Sequence, residues 1–311
     1  MKDSIPKLII HGGASSWEDK GGLSLIRQSL HKIVSIVYQS LAEQGSAIDA
    51  VLQGCQLLED APFFNAGTGS VLQSDGQIRM SASLMNGELQ RFSGVINISR
   101  VKNPITVAKF LQDQSDRVLS DYGGAELLRE LQSPIYDPLT DARLKEWVSN
   151  RKMNFPKKMA SLVAEEKDDG RGTIGVVALD SDGQLAAGTS TGGKGFERIG
   201  RVSDSAMPAG NYATPAAGVS CTGIGEDIIE ECLAAKIVVR VTDGLTLDQA
   251  MERSMQESHQ NQRDLGAIAI DATGAISWGK TSDVLLAAYH DGQRIGDTLE
   301  WSDERLSGYL A

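Results

Sequence analysis

A glycine, a threonine and then an apolar run, Gly172-Thr173-Ile174-Gly175-Val176-Val177-Ala178-Leu179, carry the clearest chemical signal in this 311-residue chain. If the chain is cut between Gly172 and Thr173, the threonine holds both a hydroxyl and a free α-amino group. A threonine hydroxyl alone is a poor nucleophile and needs an adjacent base. An α-amine titrates near about 7.7–8.0, so a useful fraction is neutral and can take the proton. Nucleophile and base then share one residue, and no histidine is required. Gly172, with no side chain shielding its carbonyl and wide backbone freedom, suits the position before the cut.

Three small polar clusters follow: Thr189-Ser190-Thr191-Gly192-Gly193, Gly200-Arg201-Val202-Ser203-Asp204-Ser205 and Ser220-Cys221-Thr222-Gly223-Ile224-Gly225-Glu226. Thr222 and Gly223 precede a helix expected from Glu226 to about Arg240. A hydroxyl and a glycine N–H at a helix N-terminus can hold a developing oxyanion, or can simply cap the helix. Arg201 can grip a carboxylate in bidentate fashion and Asp204 an ammonium, the two α-groups of an amino acid. A surface ion pair is the plainer alternative. Gly188-Thr189-Ser190-Thr191-Gly192 fits the G-x-S-x-G nucleophile elbow, and Gly188–Gly195 nearly fits a phosphate loop. Both motifs need a helix directly afterwards, and Gly192-Gly193-Lys194-Gly195 opposes one.

The elements that must position these residues are readable from periodicity. Lys7–Ile10 reads as a strand stopping at His11-Gly12-Gly13-Ala14, with His11 in a structural role. Leu23–Leu41 is an amphipathic helix, and Ser46 caps a second whose inward stripe includes Cys55 and Leu58. The small-residue loop Leu58–Gly69 can ring a monovalent cation with its carbonyls or be a packed turn. Turns at Ser74-Asp75-Gly76 and Met85-Asn86-Gly87 suggest hairpins, and Ile105–Leu119 and Ala125–Leu131 suggest helices. Ser133–Gly172 reads as a mobile linker. Strands are expected at Ile174–Leu179, Gln184–Thr189, Ala217–Cys221, Gly266–Ile270 and Ala275–Trp278, with a helix at Leu247–Ser258. The pattern is α+β with a mainly antiparallel sheet.

Composition bounds the function. A net charge of −11 argues against nucleic acid or an anionic membrane as the main partner. No apolar run reaches membrane-spanning length, and the first residues lack an apolar signal core, which makes the cytoplasm the expected location. Three cysteines, Cys55, Cys221 and Cys232, suit packed thiols in a reducing compartment.

Taken in order, Ile10–Ala14, Phe64–Gly69, Gly172–Gly175 and the three polar clusters resemble the plant-type L-asparaginase/isoaspartyl peptidase family of N-terminal nucleophile hydrolases. The resemblance spans nearly the whole chain. It implies one domain, a four-layer αββα sandwich, cleaved into 1–172 and 173–311 and paired as an (αβ)₂ heterotetramer. It implies hydrolysis of L-asparagine and β-aspartyl dipeptides, with no cofactor for catalysis. Thr173 matches the nucleophile, Thr191 its hydrogen-bonding threonine, Thr222 and Gly223 the oxyanion donors, and Asn65 a loop residue beside them. Arg201 and Asp204, assisted by Gly225, match the substrate grip. Leu58, Glu59, Ala61, Phe64, Ala66 and Thr68 match a loop holding a structural sodium ion. Many relatives carry aspartates where Ser81 and Asn86 stand, a departure expected to alter local hydrogen bonding and leave the chemistry unchanged. The cysteine usage argues against glycosylasparaginase, a secreted or lysosomal cousin. An uncleaved binding protein on the same fold is the non-enzymatic alternative.

Overall fold

The run after Thr173 becomes the strand about which the larger of two sheets is built. The structure, a computed structural model, describes residues 4–14, 23–153, 172–298 and 305–311. Strand β5 (Ile174–Leu179) is buried along its whole length and lies antiparallel between β1 (Lys7–Ala14) and β6 (Leu185–Thr191). On one side β1 pairs with β11 (Leu285–His290), and β11 with β12 (Ile295–Asp297). On the other, β6 pairs with β2 (Met80–Asn86), β2 with β3 (Arg91–Ile98), and β3 in parallel with β4 (Val118–Ser120). The smaller sheet runs β13 (Ser307–Leu310), β10 (Ile276–Lys280), β9 (Leu265–Asp271), β8 (Ala217–Gly223) and β7 (Asn211–Ala213), antiparallel throughout.

Side-chain alternation along β5 explains how both its faces are apolar. Ile174, Val176 and Ala178 join a core cluster with α1 (Leu23–Ala42), α2 (Ala47–Asp60) and α3 (Pro104–Leu111). Val177 and Leu179 point the other way, into a cluster with Ile268, Ile270 and Trp278 of the smaller sheet. A third cluster joins that sheet to α6 (Gly225–Glu231), α7 (Leu233–Thr242) and α8 (Leu247–Gln260). Among the described residues no helix is long and apolar enough to cross a membrane.

Several expected elements differ, each for a local reason. The helix expected to reach Leu119 stops at Leu111, because the Gln112 amide turns into the sheet and bonds Leu84 O, Arg91 O and Ser93 Oγ. Val118–Ser120 is then edge strand β4, and α4 covers Asp121–Glu130. The helix expected over Glu226–Arg240 breaks at Cys232, which is left-handed (φ 47°) and exposed, so the third thiol is not packed while Cys55 and Cys221 are. The Asn86 turn joins β2 to β3 as expected, but Ser74–Gly76 turns between segments that are not strands. Strand β1 does not stop at His11; it passes a bulge there and continues to Ala14. The expected linker holds α5 (Asp141–Lys152), capped by Thr140 and docked through Arg143 on Gly69 O and Trp147 on Gln73 O. Residues 154–171 of that linker lie outside the described residues.

Leu30 is fully buried on α1, whereas Ile36 on the same helix is 38% exposed. Leu30→Ala should lower unfolding stability by about 2–5 kcal/mol, and Ile36→Ala by well under about 1 kcal/mol. Denaturant titration of the two variants checks the packing direction; equal losses would contradict it.

Candidate active site

Gly172, just before Thr173, is held by backbone packing that only glycine permits. A Cβ on Gly13 (φ 125°) would fall 2.2 Å from Gly172 Cα, and one on Gly172 only 1.9 Å from the Gly12 carbonyl oxygen. Strand β1 therefore lies directly against the chain at residue 172, and its His11 reaches one residue further. His11 Nδ1 stands 3.0 Å from the Thr173 carbonyl oxygen and Nε2 2.9 Å from Ser220 Oγ. A carbonyl can only accept, so Nδ1 carries the hydrogen and Nε2 accepts from Ser220. Burial holds His11 down at about 3, outweighing the backbone hydrogen bond to Thr173, so the ring is neutral. Its role is structural, as read from sequence, but it touches the carbonyl of Thr173 itself.

The Thr173 hydroxyl donates to Thr191 Oγ1 at 3.1 Å, and Thr191 Oγ1 also accepts the Gly193 N–H at 3.1 Å. Asn65 ties these parts together. Its N–H donates to Gly172 O (3.0 Å), its amide nitrogen to Gly193 O (2.7 Å), and its own carbonyl accepts from Gly192 N–H (2.8 Å). Thr173 and Thr191 open onto a cleft lined also by Gly193, Lys194, Arg201, Asp204 and Gly223–Gly225. Gly223 has φ 129°, and a Cβ there would fall 2.5 Å from Leu265 Cα, so the turn into α6 needs glycine. Thr222 is fully buried behind this wall, and its Oγ1 accepts the Ala14 N–H at 3.2 Å, leaving its own hydrogen to donate.

Charge is concentrated on the far wall. Asp204 is 3% exposed; its Oδ1 accepts from Ser203, while Oδ2 has no partner among the described atoms. Burial pushes Asp204 up to about 7, against the Arg201 charge and the Ser203 hydroxyl, which favour the carboxylate. A buried carboxylate oxygen without a partner is costly until a cation arrives. Arg201 is held side-on by Glu226, with Nε to Oε1 at 2.8 Å and Nη2 to Oε2 at 3.1 Å. Lys194 Nζ lies 3.5 Å from the same Oε2. Partial burial favours the neutral form of Glu226, but the Arg201 hydrogen bonds and the charges of Arg201 and Lys194 win, holding it at about 2.

Of the sequence-predicted residues, Thr173, Thr191, Gly223, Arg201, Asp204 and Gly225 line one cleft. Asn65 and Thr222 lie just behind it. Ser190 is not among them: it is fully buried and donates to Glu59 Oε1 at 2.6 Å. Strand β6 runs through Ser190 to Thr191 with no helix following, so neither the nucleophile elbow nor a phosphate loop is formed. Ser81 Oγ accepts the Asn97 N–H and Asn86 Oδ1 the Leu89 N–H, and neither residue lines the cleft. Lys194 and Glu226 were missed as site residues, because their meeting depends on a fold that brings the segment after β6 to the start of α6.

A model of the family described as Asparaginase matches residues 4–300. The chain is 68% identical over 301 residues to an isoaspartyl peptidase/L-asparaginase of Synechocystis sp., covering 96% of this chain and 92% of the relative. It is 35% identical to a plant-type L-asparaginase of Pyrococcus abyssi over 91% of this chain and 95% of that one. With an isoaspartyl peptidase/L-asparaginase of Bos taurus it shares 33% identity, over 94% and 97% respectively. The chain belongs to the asparaginase family. Within it, the resemblance is to the isoaspartyl peptidase and plant-type members, as the sequence motifs had suggested.

Asp204 yields a prediction with a definite sign. Its folded value, about 7 against an ordinary 3.8, means that the folded state holds the proton more tightly. Stability from this group is present below pH 4 and lost as pH rises through 7, by at most about 4 kcal/mol. Asp204→Asn should therefore match wild type more closely at pH 4.5 and exceed it in stability at pH 8, in the absence of ligand. Urea titrations at the two pH values check this; a difference independent of pH would contradict it.

Proposed function

We propose that the chain cleaves itself between Gly172 and Thr173 and then hydrolyses the side-chain amide of L-asparagine and the β-aspartyl bond of isoaspartyl dipeptides. The observation that carries this reading is the Thr173 hydroxyl, hydrogen-bonded to Thr191 and opening onto the cleft that holds Arg201 and Asp204. The 68% identity to an isoaspartyl peptidase/L-asparaginase supports it.

Self-cleavage is an N→O acyl shift. The Thr173 hydroxyl attacks the Gly172 carbonyl carbon, and the Asn65 N–H, 3.0 Å from that oxygen, stabilises the charge that develops there. The C–N bond breaks, the Thr173 nitrogen takes a proton, and water hydrolyses the ester. In the mature enzyme the freed amine accepts the hydroxyl proton as the alkoxide attacks the substrate's side-chain carbonyl. Arg201 grips the α-carboxylate, and Asp204 the α-ammonium, with the Gly225 backbone assisting. Gly223 N–H and the Thr222 hydroxyl, the latter reaching from behind the cleft wall, would hold the oxyanion; ammonia or the amino acid leaves, and water releases aspartate.

The two pieces, 1–172 and 173–311, form one domain. The three apolar clusters, helices on sheet, sheet on sheet and sheet on helices, support the four-layer αββα sandwich. Pairing as (αβ)₂ and a cytoplasmic location complete the proposal. A sodium ion would be held by carbonyls of Leu58, Glu59, Ala61, Phe64, Ala66 and Thr68. Two carbonyls of this loop, Pro62 O and Phe64 O, turn in toward Gly69, standing 2.7 and 2.9 Å from where a Cβ would be, and inward-turned carbonyls are the donors such an ion needs. The ion would brace the loop next to Asn65 and take no part in bond making.

Thr173→Ala should run as one full-length band and release neither ammonia from asparagine nor aspartate from a β-aspartyl dipeptide, while Ser190→Ala keeps both activities. Activity surviving in Thr173→Ala would refute the assignment. Thr222→Ala should lower kcat by about 10²-fold if its hydroxyl donates to the oxyanion; a change in stability alone would leave Gly223 as the sole donor.

A further inference from the structure

Glu226 sits where it satisfies Arg201 without touching the reacting atoms. It lies in the first turn of α6, and its carboxylate takes the Nε and Nη2 edge of the guanidinium in two bonds of 2.8 and 3.1 Å. The guanidinium has five N–H donors in a rigid plane, so two are spent on this edge and three remain, two on Nη1 and one on Nη2. The rest of the residue is also fixed: Arg201 O accepts from Asn97 Nδ2 at 3.0 Å, and a Cβ on Gly225 would fall 2.6 Å from Nη2. Arg201 is therefore clasped along one edge and against one face, with its other edge left for a second carboxylate.

We propose that Glu226 is a positioning residue that orients Arg201, and that it thereby sets the preference for substrates with a free α-carboxylate. The inference rests on the substrate class proposed above. Two physical effects compete when Glu226 is removed, and they differ in sign. Deleting its charge leaves Arg201 and Lys194 as neighbouring cations, which by Coulomb attraction alone would tighten binding of an anionic substrate. Releasing the guanidinium from its clasp lets the long side chain leave the bidentate geometry, which weakens binding. A planar two-bond fit has a narrow geometric tolerance and Glu226 is nearly half exposed, where charge effects are screened. Positioning should therefore dominate.

The test uses the matured enzyme and two substrates, L-asparagine and asparaginamide, in which the α-carboxylate is replaced by a neutral amide. Glu226→Ala should raise KM for asparagine by about 10-fold or more with kcat within about threefold of wild type, the pattern of a lost binding interaction. Because asparaginamide cannot use Arg201 in this way, its kcat/KM should change little, so the asparagine preference falls by about 10-fold. Glu226→Asp, which keeps the charge on a shorter arm, should recover part of the preference, and Glu226→Gln less. An unchanged or lower KM for asparagine, or equal losses on both substrates, would overturn the proposal. Wild type inert toward both asparagine and a β-aspartyl dipeptide would instead overturn the functional reading beneath it.

Discussion

The contact between two pieces of backbone, Gly12-Gly13 on strand β1 and Gly172 before β5, is the constraint on which the site depends. At 1.9–2.2 Å from where side chains would begin, no other residue type fits at Gly13 or Gly172 without displacement. The closeness has a chemical consequence. It sets the Gly172 carbonyl against the Asn65 N–H and the Thr173 carbonyl against His11, so both sides of one peptide bond are fixed before any reaction begins. Preorganisation of this kind, with donors already aimed at the oxygen that gains charge, is usually the largest electrostatic term in acyl transfer. Neutral His11 is anchored at its other nitrogen by Ser220, which lies on the smaller sheet, so the two sheets jointly locate Thr173.

The opposite wall of the cleft is built on another principle. Its charges are only partly self-compensated: Arg201 and Glu226 satisfy each other, whereas Asp204 is buried with one oxygen unpartnered. The molecule thus carries an electrostatic defect on the cleft wall, and stability is given up there, the usual relation between a folded scaffold and a site.

Much of this was legible in the sequence because the relevant signals are local. The uninterrupted apolar run from Ile174 to Leu179 could only be a strand buried on both faces, and Ser46 marked the start of α2 by its cap. Glycines 172, 223 and 225 stood beside hydroxyl and charged residues for reasons that backbone chemistry makes plain. What could not be read was set by distant partners. The break at Cys232 follows from Ala234 and Ala235, whose N–H groups bond the carbonyls of Ala209 and Pro208 instead of an unbroken helix. Helix α5 was hidden because its charged sequence resembles a linker, while Arg143 and Trp147 tie it by hydrogen bonds to the 69–73 loop. Glu226 escaped notice because its partner lies 25 residues away.

The claim beneath all the chemistry is that Thr173 supplies its own base once its amide bond is broken. Intact mass and N-terminal sequencing of the purified, active protein address it directly. Two polypeptides are expected, the second beginning with Thr173, and activity should rise in step with their appearance. Full activity from a continuous chain, with residue 173 still acylated by Gly172, would leave the hydroxyl without its proton acceptor and contradict the mechanism.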